Sequence, residues 1–193
     1  FYILFDGYIE LGWFYPVMVS LVIVSTSNAV NITDGLDGLA GGCLAISTVA
    51  YTFIAYIVGR VDFTAYLGIP YVALSAETTV FCTAMLGATL GFLWFNSHPA
   101  QVFMGDSGSL PLGGALGLVA CITKQEMLLF FVGGIFVIEA GSSLLQILSF
   151  KLTGKRIFRI APLHHHFQFK GVQESKITMR FWIVAILLAV SSL

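Results

Sequence analysis

The chain has 193 residues, of which 58% are hydrophobic and only 10% are charged, and its mean hydropathy is +0.92. This composition excludes an ordinary water-soluble domain and indicates an integral membrane protein. The formal net charge is −1, and the absence of a basic stripe in the sequence argues against a nucleic-acid partner.

The N-terminal stretch, residues 1–13, contains two short apolar and aromatic runs around Asp6-Gly7. Asp-Gly between such runs is a strong hairpin signal, so we expect a short extracytoplasmic β-hairpin. The chain begins Phe1-Tyr-Ile-Leu-Phe, without a methionine or a basic region. We therefore expect no signal peptide, and we expect these residues to be the C-terminal part of a longer protein.

Six apolar segments follow, each near the roughly 20 residues that span a bilayer, although two are short. They predict an all-α polytopic membrane protein with about six transmembrane helices in one domain, residues 1–193. Glycines predict close packing of the fourth segment and a bent or broken fifth, the penultimate span. The predicted spans are 14–32, 39–58, 78–95, 109–123, 127–150 and 178–193.

Basic residues predict the orientation of the chain in the membrane. Seven of the nine Lys and Arg residues flank the loop 153–176, so the positive-inside rule places this loop in the cytoplasm. Counting spans back from it puts residues 31–38 and 96–108 on the same side. We therefore expect one site at the cytoplasmic face. The seven basic residues are Lys151, Lys155, Arg156, Arg159, Lys170, Lys176 and Arg180.

The first polar stretch is Asn31-Ile-Thr-Asp34-Gly-Leu-Asp37-Gly, between two apolar segments. Ionisable groups at a membrane edge cost free energy, so their presence indicates a functional site. If the backbone stays helical, the amide and the two carboxylates lie along one side of the helix. The alternative is that Asp37 caps the next helix while the other two side chains satisfy local backbone groups.

The second polar stretch runs from Asn96 to Ser109 and contains Asp106 just before a span. Asp106 is either an N-cap residue or a metal ligand. Asp37 and Asp106 each precede or begin a helix on the cytoplasmic side, so two positive helix ends face one cavity that suits phosphate. Carboxylates beside phosphate favour Mg²⁺.

The third polar stretch is His164-His165-His166, within the basic loop. A zinc site is one interpretation, but no Cys lies nearby and no His-Glu-x-x-His helix exists. Solvated loop histidines are another. Binding of an anionic substrate, helped by Lys155, Arg156 and Arg159, is the more specific hypothesis.

The apolar segments themselves contain a few polar or sulfur-bearing side chains. Glu139 and Gln146 in the fifth segment either form hydrogen bonds between helices or line a cavity. The three cysteines, Cys43, Cys82 and Cys121, lie inside apolar segments. We therefore expect them to be small buried hydrophobic side chains rather than parts of a disulfide framework.

The three polar stretches together resemble the bacterial phospho-N-acetylmuramoyl-pentapeptide transferases, within the polyprenyl-phosphate N-acetylhexosamine-1-phosphate transferase superfamily. The matching motifs are Asn31-Ile-Thr-Asp-Gly-Leu-Asp-Gly, Phe103-Met-Gly-Asp-Ser-Gly-Ser and Pro162-Leu-His-His-His, and the resemblance covers essentially the whole chain. Enzymes that move N-acetylglucosamine phosphate share looser forms of the first two motifs. The histidine triplet is more typical of the muramoyl-pentapeptide branch.

The resemblance implies Mg²⁺-dependent transfer of phospho-MurNAc-pentapeptide from UDP-MurNAc-pentapeptide to undecaprenyl phosphate, giving lipid I and UMP. It implies a site on the cytoplasmic face of the bacterial cytoplasmic membrane, and homodimers fit the family. Direct attack of the polyprenyl phosphate is the favoured mechanism, and a covalent aspartyl-phosphate is the alternative that the sequence leaves open. The alternative is transfer from UDP-GlcNAc. A transporter or an intramembrane aspartyl protease is a distant alternative, because the acids cluster at one face.

Matching the motifs residue by residue gives the expected site. Asp106 is the expected magnesium ligand, and Asp34, Asp106 and His165 are the expected catalytic residues. The family also carries an adjacent aspartate pair on an earlier loop, which this sequence lacks, so we expect these 193 residues alone to be inactive. The expected substrate-binding residues are Asn31, Asp34, Asp37, Asn96, Phe103, Gln146, His164, His165 and His166.

Overall fold

The computed structural model describes residues 2–3, 7–8 and 11–192. Strand β1 (Tyr2–Ile3) pairs antiparallel with β2 (Gly7–Tyr8), with Tyr2 opposite Tyr8. The turn predicted at Asp6-Gly7 falls partly outside the described residues. A ladder of two residues per strand does not establish the predicted extracytoplasmic hairpin.

Helices form most of the remaining described chain, as the apolar segments predict. Two 3-10 turns, Gly12–Phe14 and Ser75–Glu77, each lead directly into a long helix. The long helices are α1 (Tyr15–Thr33), α2 (Leu39–Val58), α4 (Thr78–Asn96), α5 (Gly105–Ile122), α7 (Gly134–Thr153) and α9 (Glu174–Ser191); the short ones are α3 (Val61–Leu67), α6 (Leu129–Val132) and α8 (Leu163–Phe169).

The predicted count of six spans is not supported. In the described part of the chain, four helices are long and apolar enough to cross a membrane. Helices α5 and α9 correspond to the other two predicted spans, but α5 begins with Asp106 among small polar residues, and α9 carries Glu174, Lys176 and Arg180 in its first two turns. The four are Gly12–Thr33, Leu39–Val58, Ser75–Asn96 and Gly134–Thr153.

The penultimate predicted span is interrupted, as its glycines predict. The helix stops after Val132, Gly133 takes a non-helical conformation, and α7 begins at Gly134. A break in a membrane helix is tolerated where neighbouring protein supplies partners for the freed backbone groups. One such partner is Ser47 on α2, whose hydroxyl donates a hydrogen bond of 3.0 Å to the Val132 carbonyl.

Helix α2 lies at the centre of the bundle and packs against α1, α4, α5 and α9. It is apolar on all sides and buried over most of its length, as expected for a helix surrounded by others. Helices α1 and α5 cross closely where Gly113 faces the α1 backbone. A Cβ on Gly113 would lie 2.9 Å from the Thr26 carbonyl oxygen, so only glycine permits this approach.

The helix connections gather at two ends of the bundle. The end that we call the site end carries the connections 34–38, 97–104 and 154–173. They are joined by contacts such as the hydrogen bond from Thr178 on α9 to the Asp37 carbonyl. The end that we call the opposite end carries the connections 59–77 and 123–128. Tyr51 on α2 donates a hydrogen bond to the Gln125 carbonyl in the second of these connections.

Candidate functional site

Asp106 lies exposed in the first turn of α5, beside the last turn of α1. The Asn31 amide nitrogen donates to Asp106 Oδ1 at 2.7 Å and to Ser109 Oγ at 2.9 Å. Met104 is the N-cap residue of α5 and makes no side-chain cap bond, so Asp106 is not the helix cap. Within the described residues, the hydrogen bond of the Asp106 side chain involves Oδ1 alone.

Asp34 ends α1 and lies close enough to Asp106 for the two carboxyl groups to interact. Partial burial raises the pKa of Asp34 above its ordinary value of 3.8, and the charge of Asp106 raises it further, against the effect of a backbone hydrogen bond from Gly105. A second negative charge nearby disfavours ionisation of a carboxyl group, and a bound cation would offset that effect. Oxygen donors of this kind fit the preference of Mg²⁺.

Asp37 clamps the connection 97–104 to the start of α2. Its Oδ2 accepts a hydrogen bond from the Ala100 backbone N–H at 3.0 Å and pairs with His98 Nδ1 at 3.1 Å. Gly38, not Asp37, is the N-cap residue of α2, so the capping alternative for Asp37 is also excluded. Ligand atoms of Asp37, His98 and Glu174 all lie within 4.8 Å of one another, which makes them a second grouping of potential metal ligands.

Asn96 is 3% exposed and fixes the same connection from its other side. Its Oδ1 accepts the Gly38 N–H at 3.1 Å, and its Nδ2 donates to the Val102 carbonyl at 2.8 Å. The next residue, Phe103, is 78% exposed. The bonds of Asn96 therefore support a loop that presents a free aromatic ring.

His164 is fully buried against α7, where its ring Nδ1 lies 2.9 Å from Glu139 Oε2. The His164 backbone N–H also donates to Glu139 Oε1 at 3.1 Å. Both side chains are 0% exposed. The expected contact of His164 with substrate stays a prediction, because in this structure its contacts are with protein.

His165 and His166 are partly exposed on α8. His165 Nδ1 pairs with Gln168 Oε1 at 2.9 Å, and the Gln168 amide donates to Glu174. His166 Nδ1 accepts the Arg159 backbone N–H at 3.2 Å. Desolvation, followed by the charges of Lys170 and Arg159, lowers the pKa of His166, a direction that favours the neutral ring needed to accept that bond.

Gln146 on α7 forms hydrogen bonds with the connection 154–162, which runs back alongside α7. Its Oε1 accepts the backbone N–H groups of Ile157 and Phe158 at 3.1 and 2.9 Å, and its Nε2 donates to the Phe158 carbonyl at 2.9 Å. A cavity of about 440 Å³ beside it is lined by Lys151, Arg156 and Arg159. Gln146 thus holds a basic cavity wall, and its expected substrate contact stays a prediction.

The structure brings most of the sequence-predicted residues to the site end. Asn31, Asp34 and Asp106 form one group, Asp37 and Asn96 a second, and the three histidines a third. The sequence did not indicate His98 or Glu174 as site residues, and it did not predict which residue pairs with Glu139. The only sequence signals were a histidine two residues after Asn96 and an acid inside an apolar segment.

This arrangement defines a class of protein, a polytopic membrane protein whose carboxylates and basic residues gather at one end of the bundle. Residues 1–124 match the family model described as glycosyl transferase family 4. The chain therefore belongs to the glycosyl transferase family 4.

Curated relatives extend this similarity over nearly the whole chain. Phospho-N-acetylmuramoyl-pentapeptide-transferases of Pelobacter propionicus and Methylacidiphilum infernorum are 59% and 55% identical to it over 180 and 189 residues. These matches cover 93% and 96% of this chain but 50% and 52% of those proteins. The relative of Pelagibacter ubique is 54% identical over 185 residues. The chain thus spans about half the length of the curated relatives it matches.

Proposed function

We propose that the protein carrying this chain transfers phospho-MurNAc-pentapeptide from UDP-MurNAc-pentapeptide to undecaprenyl phosphate, giving lipid I and UMP. The observation that carries the proposal is that Asn31 on α1 binds the Asp106 carboxylate in the first turn of α5, beside the end of α1 at Asp34. The chain is also 54–59% identical to proteins with that transferase name. The basic loop and the positive-inside rule favour a site on the cytoplasmic face.

The two carboxylates would hold Mg²⁺. Their donor chemistry and their mutual repulsion fit a divalent cation, which, when bound, supplies positive charge beside the diphosphate of the nucleotide. Asn31 keeps the Asp106 carboxylate in place through its 2.7 Å bond. The grouping of Asp37, His98 and Glu174 fits less well, because the Asp37 Oδ2 atom already binds the Ala100 N–H and pairs with His98.

The remaining residues of the site suit the rest of the nucleotide-sugar. The exposed Phe103 ring offers a stacking surface for uracil, on a loop that Asn96 supports. Arg156 and Arg159 in the basic cavity supply charge for an anionic substrate, and His165 lines a neighbouring cavity of about 400 Å³. These groups would orient the substrate, which is the main demand of phosphoryl transfer.

The bond changes are simple in the direct mechanism. An oxygen of the polyprenyl phosphate attacks the β-phosphorus of the nucleotide, and the bond from that phosphorus to the bridging oxygen breaks. UMP leaves with the electron pair of that bond, so no proton donor is required. Direct attack leaves Asp34 and Asp106 unmodified throughout, whereas a covalent route would phosphorylate one of them.

A groove between α1, α6 and α7 suits the lipid substrate. It has a volume of about 470 Å³ and a nearly continuous apolar lining that includes Leu21, Phe130 and Leu144. The break at Gly133 lies on its wall. An isoprenoid chain would bury its apolar surface there while its phosphate reaches the site end.

The experiment uses the full-length protein in membranes with undecaprenyl phosphate and Mg²⁺. Release of UMP is measured with UDP-MurNAc-pentapeptide and with UDP-GlcNAc, for the wild type and for Asp106→Asn. We expect turnover with the muramyl substrate alone and its loss in the variant. Turnover with UDP-GlcNAc would instead assign the protein to the sister branch, and no UMP from either substrate would contradict transferase function.

A further inference from the structure

The buried pair of Glu139 and His164 joins two regions that lie far apart in the sequence. Glu139 belongs to α7, and His164 belongs to the first turn of α8. The pair has one contact between side chains and a bond from the His164 backbone, and both side chains are 0% exposed. A buried carboxylate is costly unless it is hydrogen-bonded, and these bonds fix the histidine ring on α7.

The other edge of the His164 ring faces the turn that contains Asp34. Its Nε2 is buried and has no hydrogen-bond partner within the described chain. A Cβ placed on Gly35 would collide with this Nε2 atom, so the ring rests directly on the glycine. Gly35 does not have a positive φ, and therefore space rather than backbone conformation requires glycine there.

These contacts form a line from α7 to the carboxylates. Glu139 holds the ring of His164, the ring rests on Gly35, and Gly35 is the residue next to Asp34, whose carboxyl group feels the charge of Asp106. The ring of His164 therefore contacts the turn that contains Asp34 in addition to joining α7 to α8. Groups that orient metal ligands typically change metal affinity tenfold or more when they are removed.

We propose that Glu139 and His164 are positioning residues that fix the Asp34 turn against Asp106 and so set the affinity of the two carboxylates for a divalent cation. This inference rests on the metal site of the proposed function. His164 then acts through Gly35 rather than through a bond to substrate.

The test measures Mn²⁺ binding by the full-length protein in detergent, from the loss of the free-ion signal in electron paramagnetic resonance. His164→Asn keeps a group near Nδ1 for Glu139 but removes the atom that reaches Gly35. We expect His164→Asn and Glu139→Gln to weaken Mn²⁺ binding by about tenfold or more. The matched control is Glu77→Gln at the opposite end, with unchanged binding.

Gly35→Ala leaves the buried pair intact and tests the same contact from the other side. It should also weaken Mn²⁺ binding, whereas Gly87→Ala, where a Cβ would meet open space, should not. In the double variant, His164→Asn shortens the side chain that collides with the methyl group introduced by Gly35→Ala, so the two effects should be less than additive. Thermal unfolding of each variant identifies any that have lost their fold.

The outcomes separate this inference from the proposed function. Unchanged Mn²⁺ affinity in folded Gly35→Ala and His164→Asn would overturn the positioning role, even if the wild type transfers phospho-MurNAc-pentapeptide. Weakened binding in both variants would support it, even if the wild type released no UMP. A wild-type protein that binds no Mn²⁺ would overturn it whatever its turnover.

Discussion

The two ends of the bundle both carry charged side chains but treat them differently. At the opposite end, Lys124 Nζ donates to the Tyr15 hydroxyl at 2.6 Å, and that hydroxyl donates to Glu126 at 3.0 Å. Arg60 and Asp62 form a further pair there through two hydrogen bonds of 3.1 and 2.8 Å. In these two groups, Glu126 is linked to Lys124 through the Tyr15 hydroxyl, and Asp62 is bound directly by Arg60.

At the site end, by contrast, an amide and backbone N–H groups hold Asp106 and Asp34, and Asp37 has a histidine partner as well as a backbone N–H. Asp106 is bound by an amide, Asp34 meets a backbone N–H, and Asp37 accepts the Ala100 N–H beside the half-exposed His98. Neutral donors fix a carboxylate in place without cancelling its charge. The comparison therefore indicates that the opposite end stabilises the fold, whereas the site end keeps charge available for a ligand.

The largest expected effect is the loss of turnover in Asp34→Asn. The substitution removes one of the two acidic charges proposed to hold the cation, and electrostatic groups of this kind are commonly worth about 10²–10³-fold in kcat. Initial rates of UMP release by the full-length protein measure it. Asp62→Asn at the opposite end is the matched control, and a similar loss there would contradict the division between the two ends.

The next effect concerns stability. Tyr15→Phe removes the hydroxyl that links Lys124 to the buried Glu126, so we expect the free energy of unfolding to fall by about 1–3 kcal/mol. Chemical denaturation in detergent measures this change. Turnover per folded molecule should stay unchanged, and Tyr66→Phe, at a side chain that is 88% exposed, should alter neither quantity.

The raised pKa of Asp34 predicts a pH dependence at the site end. Between the ordinary value of 3.8 and the raised pKa, the folded state binds more protons than the unfolded state, so stability contributed by this group falls as pH rises. Thermal unfolding without divalent cations, from about pH 4 to 7, measures the slope. Asp34→Asn should remove this contribution.

The affinity of the site for Mg²⁺ should also depend on pH. A cation and a proton compete for the Asp34 carboxylate, so the apparent affinity for Mg²⁺ should fall as the pH is lowered. Titration of turnover with Mg²⁺ at several pH values tests this expectation. An affinity that is independent of pH over the titration range of Asp34 would mean that this carboxylate is not a ligand.

The smallest effect is expected at the exposed ion pair of the opposite end. Arg60→Gln removes the partner of Asp62, but an ion pair this exposed to solvent contributes little to stability. Denaturation should detect little change, and UMP release should be normal. A large loss of activity would show that the opposite end also serves the reaction.

Much of the architecture could be predicted from the sequence. Apolar periods predict the long helices, the clustered basic residues predict which connections share a side, and the glycines predict the break near Gly133. The predicted count of six spans is not supported, because polar first turns shorten the apolar stretch of α5 and α9. Helical periodicity alone does not separate a membrane span from a partly polar helix.

The candidate site was only partly predictable. Asn31, Asp34 and Asp106 stand out as polar residues at the ends of apolar segments. The pairing of Glu139 with His164 depends on how the connection 154–162 returns along α7, and no local pattern encodes that path. Likewise, the contact between His98 and Asp37 joins residues 61 positions apart, beyond the reach of a local signal.

The three hydrogen bonds of Gln146 have a consequence for the entropy of binding. They hold the segment 155–160 against α7 before any ligand arrives, so Arg156 and Arg159 belong to a pre-ordered surface rather than to a free loop. Ordering a free segment on binding costs roughly 1–2 kcal/mol per residue in backbone entropy alone. Because folding has already met this cost, an anionic ligand would retain more of its electrostatic attraction as affinity.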